Sequence, residues 1–411
     1  MYTGIYINDT HLSAGICNQD QEVVFIQDEH AVTDRKYLTP CSVYIADTFA
    51  FVGHPIRYLV ANDYTLDYCK DFTKDLEYKE KSVFIDNHEN HWNAIGIVAI
   101  LLKKLKSDLQ IHNDDPFKGA VITLPQTISS HLVTSLKKAF DCVGINLCGV
   151  IDIGKAAILG YEMPCDSSKT EKIVLYNMDT AALTVSLCSL DEDNYTTTQT
   201  IETNRNLGEE TLLLLLQNHI QKRYEEVTNK VVKKGTKTIT TLQQTAEKVL
   251  LNYTTKSQSF IKVMCSFESP VIELIVTRAQ IDGIIAAYFS QTMDFLKEVF
   301  QSSGAEIQKI DSVMMTGTSK IIKSLKPYLE KEFLEPVKFY NHNNDQIITK
   351  GTTLYANNGI EREISKSLLT QNKNDNTLLT LSKKKSEKVV LGQEEMAALV
   401  ATMQINVGCE I

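Results

Sequence analysis

A strand–turn–strand pattern occurs twice in this chain, once at its start and once near its middle. Residues 2–7, 12–17 and 22–26 carry alternating apolar side chains with turn signals between them, which predicts short β-strands. Residues 172–176 and 183–190 repeat this arrangement of a run, a break and a second run. The repetition predicts a duplicated architecture, even though the two stretches have negligible sequence identity.

Helical and strand patterns alternate through the rest of the chain, which is typical of an α/β protein with layered sheets. The length of 411 residues suits two or three domains. A leucine run at residues 212–216 indicates a helix that is buried on more than one side. The other predicted elements are a strand at 120–125 that Pro125 ends, helices at 128–140, 208–255 and 278–301, a hairpin at 259–276, and a strand at 312–315.

The turn at residues 316–319 follows a predicted strand and opens a helix. Backbone amides at such a strand–turn–helix junction can bind an anion, and the turn contains one glycine, Gly317. A plain connecting turn explains the same residues. The local sequence leaves both interpretations open.

Composition and charge exclude several classes of function. The chain has 51 acidic and 42 basic residues, a net charge of −9, and no basic block longer than residues 383–385, so we expect no binding to nucleic acid. No apolar run is long enough to span a membrane, and the first residues lack the features of a signal peptide. A cytoplasmic protein without membrane contact is therefore predicted.

Cysteine and histidine spacing gives no metal motif. The nine cysteines occur singly, without a C-x-x-C pair, which fits reduced thiols and argues against a zinc ribbon or a redox site. Two acids and two histidines stand close together at residues 86–91, just before Trp92. We interpret them as a solvated helix N-terminus capped by Asp86 or Asn87, and we predict no metal site.

The last part of the chain, residues 358–411, differs from the rest. It is polar, then basic, and it ends in one short helical pattern at residues 393–403. One interpretation is a flexible tail with a marginal helix. The other is a helix that folds when it docks on a partner.

Segments spread over residues 2–357 match the motifs of one known family in order and in spacing. GIYINDT at residues 4–10 matches G-I-D-L-G-T-T, and LGEE at 207–210 matches L-G-G-E. On these motifs the chain resembles the nucleotide-binding domain of the heat shock protein 70 (DnaK-like) chaperone family. The other matching segments are LTPCSVY (38–44), FVGHPIR (51–57), AVITLP (120–125), the stretch 143–161, TR (277–278), GTSK (317–320) and DQIITKG (345–351).

The resemblance implies a fold. That fold is the two-lobed actin-like ATPase, an α/β fold in which a ribonuclease-H-like unit is duplicated around a central nucleotide cleft. The lobes are expected at residues 1–178 and 179–357, with a helical insertion in the second, and a tail is expected at 358–411. The family's substrate-binding half is expected to be absent, because too few residues follow the last matched segment.

The resemblance also locates the site positions at which this chain departs from the family. The carboxylates that hold the magnesium shell fall at Tyr6 and Asn177, the glutamate of the E-P-T segment at Ile153, and the aspartate that assists the attacking water at Thr184. Arg57 stands at the catalytic lysine position, where it keeps the charge but spreads it over a planar group. Because phosphoryl transfer needs a positioned metal, the resemblance implies that hydrolysis is lost.

The second phosphate loop departs furthest. It is D-L-G-G-G-T-F-D in the family and NMDTAALT at residues 177–184, so that its three glycines are Asp179, Thr180 and Ala181. Side chains there block the approach of a phosphate to the backbone amides, and Asp179 repels it. Asp9 and Asp179 are new carboxylates near the loops, and a rebuilt metal site is the alternative that they leave open.

Because of these replacements at the family's site positions, we assign no catalytic residue. The family's Lys-Arg pair that sandwiches the base is replaced by Leu250 and Leu251, which we expect to fill the space of the base. We therefore predict no cofactor and no magnesium, with ATP or ADP binding as the alternative. The nucleotide contacts that the resemblance implies fall at Thr10, Arg57, Glu210, Glu247, Thr254, Gly317, Thr318, Lys320 and Asp345.

Three hypotheses for the function follow. The first is a pseudo-ATPase, not an enzyme, that acts as a chaperone-like, scaffold or regulatory protein by binding another protein. The second is a divergent chaperone ATPase domain that still binds ATP or ADP. The third is a cofactor or regulator of a true chaperone, docked through the helix predicted at 393–403. The sequence does not identify the protein partner.

Overall fold

The computed structural model of the chain describes residues 1–359, apart from short gaps, together with residues 400, 404 and 405. The described residues form two compact units, one of residues 1–163 with 347–411 and one of residues 164–346. The helix predicted at 393–403 lies outside the described residues except for Val400. The gaps are residues 32–34, 47–48, 63–66, 79–80, 87, 113–116, 165–168, 192–195, 233–235, 257, 266–270 and 334–336.

The first unit is built on a mixed sheet. Its elements up to residue 160 are β1 (Tyr2–Ile7), β2 (His11–Cys17), β3 (Val23–Phe25), β4 (Thr39–Pro40), β5 (Val43–Ala46), β6 (Phe49–Val52), α1 (His54–Asn62), β7 (Ser82–Ile85), β8 (His91–Asn93), α2 (Ala94–His112), β9 (Gly119–Leu124), α3 (Ser130–Cys142), β10 (Leu147–Asp152) and α4 (Ile153–Gly160). The main sheet has the order β10-β9-β1-β2-β3. All six residues of β9 are buried, because this strand lies inside the sheet.

The second unit is built on a sheet of its own. Its elements are β11 (Glu171–Met178), β12 (Leu183–Leu190), β13 (Thr196–Asn204), α5 (Glu209–Thr228), α6 (Thr236–Thr255), β14 (Phe260–Cys265), β15 (Ile272–Thr277), α7 (Arg278–Ser303), β16 (Ser312–Thr316), α8 (Lys326–Glu332) and β17 (Lys338–Tyr340). The sheet has the order β13-β12-β11-β16-β17. The α7 helix begins with a capping box, in which Thr277 and Gln280 exchange side-chain and backbone hydrogen bonds.

The two main sheets have the same plan. In each, the first three strands along the chain pair antiparallel, β1 to β3 in one sheet and β11 to β13 in the other. Two further strands then add in parallel beside the first strand, β9 and β10 in one sheet and β16 and β17 in the other. The duplicated architecture that the sequence predicts is therefore confirmed.

After residue 346 the chain returns to the first unit as α9 (Ile347–Leu354) and β18 (Gln404–Ile405). The α9 helix packs closely on α4. A Cβ atom on Gly351 would lie only 1.7 Å from the Ala156 carbonyl oxygen, so the crossing leaves no room for a side chain there. The units therefore divide the chain at other places than the predicted boundaries at residues 178 and 357. Strand β11 is the centre of the second sheet, and α9 belongs to the first unit.

Each unit has its own apolar core. The leucine run of α5 contributes Leu212, Leu213 and Leu216 to the second core, whereas the side chain of Leu214 is 53% exposed. The leucine run was expected to be buried on more than one side of the helix, but only part of it is buried. Among the described residues, no helix is both long enough and apolar enough to cross a membrane.

Candidate functional site

Three backbone amides at the turn between β1 and β2 donate to acceptors within the turn. The Oδ1 atom of Asn8 accepts hydrogen bonds from the Thr10 amide at 2.9 Å, from the Thr10 hydroxyl at 3.1 Å and from the His11 amide at 2.7 Å. The amide of Asn8 donates in turn to the His11 carbonyl at 3.0 Å. Asn8 stands where G-I-D-L-G-T-T has its second glycine, and its side-chain oxygen engages two backbone amides of this turn.

Tyr6, near the end of β1, and Asp9, in the turn, are both buried in the first unit. Tyr6 is 4% exposed and pairs with Ser13 across β1 and β2. Asp9 is 6% exposed and accepts a hydrogen bond from the Thr73 hydroxyl. The Cys41 thiol has a pKa well above its ordinary value, because burial and the nearby Asp9 carboxylate both disfavour the thiolate. Asp9 is thus engaged by a side chain of its own unit.

Asp179 is the centre of a buried polar network in the second unit. Its Oδ1 atom accepts hydrogen bonds from the Thr318 amide at 2.9 Å and from the Thr318 hydroxyl at 3.0 Å. Its Oδ2 atom accepts from the side-chain amide of Asn177 at 2.8 Å, and Asn177 Oδ1 accepts from the Thr316 hydroxyl at 2.9 Å. Asp179 and Asn177 are 3% and 0% exposed. The acid that replaces a family glycine is therefore held by its neighbours.

Glu209 makes a second buried carboxylate contact beside this network. Its Oε2 atom accepts hydrogen bonds from the Ser319 hydroxyl at 2.7 Å and from the Lys320 amide at 2.5 Å. Glu209 is the first residue of α5, where the partial positive charge of the helix N-terminus favours a carboxylate. Its neighbour Glu210, at the position that the family resemblance implies for a nucleotide contact, is exposed. The buried acid was missed, although LGEE places it where L-G-G-E has its second glycine.

Every backbone amide from Gly317 to Lys320 donates to an oxygen atom of the second unit. Gly317 donates to the Asn344 carbonyl at 3.0 Å and Ser319 to the Met178 carbonyl at 3.1 Å. The Thr318 and Lys320 amides donate to the carboxylates of Asp179 and Glu209. Two amides of this turn therefore donate to carboxylates of the chain itself, while the choice between an anion site and a plain connecting turn stays a prediction.

Gly317 is required here for steric reasons. Its φ of +121° is unfavourable for side chains, and a Cβ atom would lie 2.1 Å from the Met178 carbonyl oxygen. This close approach brings the end of β11 against the start of the turn after β16. Thus Gly317, Thr318 and the backbone of Lys320 meet at one place with Asp179, whereas the Lys320 side chain is exposed.

The positions of the family's other acids lie in the packed interior of their units. Ile153 is fully buried at the start of α4, and the preceding Asp152 caps this helix by accepting the Lys155 amide at 2.9 Å. Thr184 is 1% exposed, and its hydroxyl lies 3.0 Å from that of Thr203 on β13. Arg57 lies on α1, and its side chain is outside the described residues.

The α6 helix carries the positions of the base contacts. Leu250 is 2% exposed and belongs to the second core, whereas Leu251 is 49% exposed. Only Leu250 of the two leucines is packed into a core, and the filling of the space of the base stays a prediction. Glu247 is exposed and accepts from the Gln243 side chain at 3.4 Å, while the Thr254 hydroxyl lies 3.1 Å from the Leu250 carbonyl oxygen. Asp345, half-buried, lies in the turn before α9.

The acidic and histidine-rich stretch before Trp92 forms a hairpin turn. Asp86 accepts hydrogen bonds from the His88 amide at 2.9 Å, the Asn90 amide at 3.0 Å and the Trp92 indole at 2.8 Å. The expected helix start at this stretch is wrong, because β7 and β8 flank it and α2 begins at Ala94. Within the described part of the chain, no three His, Cys, Asp or Glu side chains are grouped to bind a metal.

The duplicated sheets and the turns between their first two strands define the class of protein. They belong to the two-lobed actin-like ATPase fold. A family model described as "Hsp70 protein" matches residues 61–371, which is more than half of the chain. The chain belongs to the Hsp70 family, and the resemblance of the sequence to its nucleotide-binding domain is confirmed.

Two curated relatives have similar sequences. The chain is 24% identical over 265 residues to a ribosome-associated molecular chaperone of Eremothecium gossypii, and 23% identical over 265 residues to a heat shock protein of Pyricularia oryzae. Each alignment covers 63% of this chain and 42% of the relative. The matched region thus spans about two fifths of the length of these relatives.

Proposed function

We propose that this Hsp70-family chain is a pseudo-ATPase, which does not hydrolyse ATP and acts by binding other proteins. One observation carries the proposal: all four amides of the Gly317–Lys320 turn donate to oxygen atoms of the protein, two of them to buried carboxylates. Amides that are already donating are not available to a phosphate.

Asp179 and Glu209 oppose a nucleotide by charge as well as by occupancy. Both carboxylates are at least nine-tenths buried, and each accepts a backbone amide of the turn. A phosphate that took these amides would stand beside two negative charges and leave them without their donors. Losing a charge-assisted hydrogen bond costs about 1.5–3 kcal/mol for each bond. Phosphate binding at this turn is therefore opposed twice.

The chemistry of hydrolysis is opposed separately. Phosphoryl transfer needs metal ions to neutralise the developing charge and a residue to orient the attacking water. The family's positions for these acids hold Tyr6, Asn177, Ile153 and Thr184, and all four side chains are buried. The carboxylate nearest to Asn177, that of Asp179, already accepts three hydrogen bonds. We therefore propose no magnesium and no bound ATP or ADP.

A protein-binding role is supported by the family and by the names of the relatives. Both relatives are named as a chaperone or a heat shock protein, and one is named as ribosome-associated. Chaperones bind protein clients, and on this family membership we propose that the chain also acts by binding another protein. The two alternatives, weak ATP or ADP binding and regulation of a true chaperone, are outcomes that experiments distinguish.

A steady-state ATPase assay on the purified full chain tests the loss of hydrolysis. We expect no phosphate release above the protein-free blank, with or without Mg²⁺. The matched control is Arg57→Ala, because a contaminating ATPase gives the same rate in both preparations. Phosphate release from the wild type that disappears in Arg57→Ala would overturn the proposal.

A further inference from the structure

The β14–β15 hairpin carries large apolar side chains on its outer face, where a sheet with one solvated face normally carries polar ones. The residues of its inner face are buried in the second core, against α6 and α7: Ile261, Val263, Cys265, Leu274 and Val276. Between them along the strands, Phe260, Met264 and Ile275 are 45%, 56% and 51% exposed. Apolar residues scattered singly over a surface need no partner, whereas apolar residues grouped on one face mark an interaction site.

One ion pair crosses the same outer face. Lys262 Nζ on β14 lies 2.9 Å from Glu273 Oε1 on β15, and the exposed fractions of the two side chains are 59% and 44%. In the ladder Lys262 is opposite Ile275 and Met264 is opposite Glu273, so the two charged residues lie on one diagonal and the two apolar residues on the other. The centre of the face therefore carries one charge of each sign between two apolar side chains.

This arrangement is complementary to itself. A two-fold axis that lies over the face and passes between Lys262 and Glu273 places each of them opposite the other residue in a second copy of the chain. The same axis places Ile275 opposite Ile275 of the second copy and Met264 opposite its Met264, because these residues flank the ion pair in the ladder. The strands of the two hairpins then cross at nearly a right angle, which is one of the two ways in which sheets pack face to face.

We propose that the outer face of β14 and β15 is a self-association surface, and that its partner is the same face of a second copy of this chain. Contacts of Met264 and Ile275 supply the affinity, and the two crossed ion pairs fix the orientation. Two strands of six residues bury less than the roughly 800 Å² per partner of a stable interface, so the dimer is weak and depends on concentration. This inference goes beyond the proposed pseudo-ATPase role and does not depend on the nucleotide site.

Reversing one charge at a time tests the proposal on the full chain. Lys262→Glu leaves two acids at the centre of the face and Glu273→Lys leaves two lysines, so either variant meets like charges across the two-fold axis. Analytical ultracentrifugation over a dilution series measures the mean mass of the particles. We expect the mass of the wild type to rise from one chain toward two as the concentration increases, and each variant alone to stay monomeric.

An equimolar mixture of the two variants distinguishes a second copy from any other partner. In a mixed dimer each glutamate of the Lys262→Glu face lies opposite a lysine of the Glu273→Lys face, so both crossed pairs are attractive. We expect the mixture to regain the association of the wild type, and the double variant, which again carries one charge of each sign, to associate as the wild type does. A mixture that stays monomeric while the wild type associates would overturn the proposal, because another contact would then hold the dimer.

The apolar contacts are tested by a second change on the same face. Met264→Ser together with Ile275→Thr should weaken the association at least about tenfold, because both apolar contacts are removed. The matched control is Val24→Thr on β3 of the first unit, where the valine is 45% exposed, and it should leave the association unchanged. All these side chains are exposed, so circular dichroism should show folded variants. A wild-type chain that stays monomeric up to its highest soluble concentration would also overturn the proposal, and it would leave the proposed loss of ATP hydrolysis untouched.

Discussion

Asn8, Asp179 and Glu209 each place a side-chain oxygen where the Hsp70 motifs have glycine. Asn8 takes the Thr10 and His11 amides in the first unit. Asp179 and Glu209 take two amides of the Gly317–Lys320 turn in the second. Each replacement therefore gives backbone amides an acceptor within the protein, which supports the proposed loss of phosphate binding.

The adjacent acids Glu209 and Glu210 provide a matched test of this role. Both lie in the first turn of α5 and share its dipole, but only Glu209 is buried. Glu209→Ala leaves the Ser319 hydroxyl and the Lys320 amide without their acceptor, so we expect it to lower the free energy of unfolding by about 2–3 kcal/mol. Glu210→Ala should change it by no more than about 0.5 kcal/mol. Urea unfolding measures both, and equal losses would contradict the assignment.

Asp86 should make the first unit sensitive to acid. Burial alone raises the pKa of its carboxyl. The hydrogen bonds from Trp92, Asn90 and the His88 amide lower this pKa by more than burial raises it, so that the folded pKa lies below the ordinary value. The stabilisation from the ionised group is complete above the unfolded pKa of about 3.9 and is lost as the pH falls through the folded pKa.

The pH dependence is measured against Asp86→Asn. We expect the wild type to be more stable than this variant at pH 7, and the difference to shrink as the pH falls below about 4. Fluorescence of Trp92, the only tryptophan of the chain, reports unfolding beside the carboxylate. A stability difference that does not vary with pH would show that ionisation of Asp86 contributes nothing.

Sequence reasoning located the replaced positions but missed the contacts that they make. The aligned motif identified Asp179 as a new acid, yet its partner Thr318 is brought to it by the pairing of β11 with β16. The choice between Glu209 and Glu210 depends on which side of α5 faces the turn at Ser319. Neither contact is local, so no pattern within the motif predicts it.

At the scale of elements, α2 carries a buried ion group. Lys104 Nζ lies 2.6 Å from Asp108 and 3.3 Å from Asp28, and all three side chains are almost fully buried. Burial raises the pKa of Asp108, while Lys104 opposes this by favouring the carboxylate. The two buried carboxylates therefore depend on the positive charge of Lys104 for their stability.

Lys104→Met should therefore destabilise the first unit strongly. It leaves two buried carboxylates without their cation, and we expect a loss of about 3–5 kcal/mol in the free energy of unfolding. The matched control is Lys137→Met in α3, where the lysine also pairs with an acid four residues on, but both side chains are at least half exposed. That change should cost no more than about 0.5 kcal/mol. Trp92 fluorescence measures the unfolding of both variants. Similar losses in their free energies of unfolding would contradict this account.

The crossing of α4 and α9 depends on small residues. A Cβ atom on Gly351 would overlap the Ala156 carbonyl, whereas one on Gly283 in α7 would meet nothing within 4 Å. Gly351→Ala should lower the melting temperature, because overpacking costs about 1–3 kcal/mol. Gly283→Ala should raise it slightly, because alanine is favoured over glycine in a helix by about 1 kcal/mol. A Gly351→Ala protein that melts at or above the wild-type temperature would rule out this tight crossing.

The sequence predicted the main strands well and the connections less well. The ranges predicted for β1 and β12 agree with the structure, because strict alternation and buried apolar runs are local signals. The β7–β8 hairpin was interpreted as a helix start, since its Asp86 turn and a capping residue look alike in sequence. Pairing of β18 with β6 joins segments too distant for any pattern to predict.

At the scale of the whole molecule, the chain keeps the Hsp70 framework and changes the turns. The strand order is the same in both units, and the family model matches residues 61–371. The glycines at close approaches, such as Gly317 and Gly351, are retained because the packing requires them. The glycines that leave room for a phosphate are replaced. A framework that is kept while these turns change is what the proposed pseudo-ATPase, acting by protein binding, predicts.

A thermal-shift titration of the full chain with ATP and ADP, each with and without Mg²⁺, tests this account most directly. A ligand at a hundred times its Kd stabilises the folded protein by about 2.7 kcal/mol, which shifts the melting temperature measurably. We predict no shift with either nucleotide, because the amides of the phosphate turns are occupied by Asn8, Asp179 and Glu209. A saturable shift that requires Mg²⁺ would contradict the account, since it would mean that the site still binds its nucleotide.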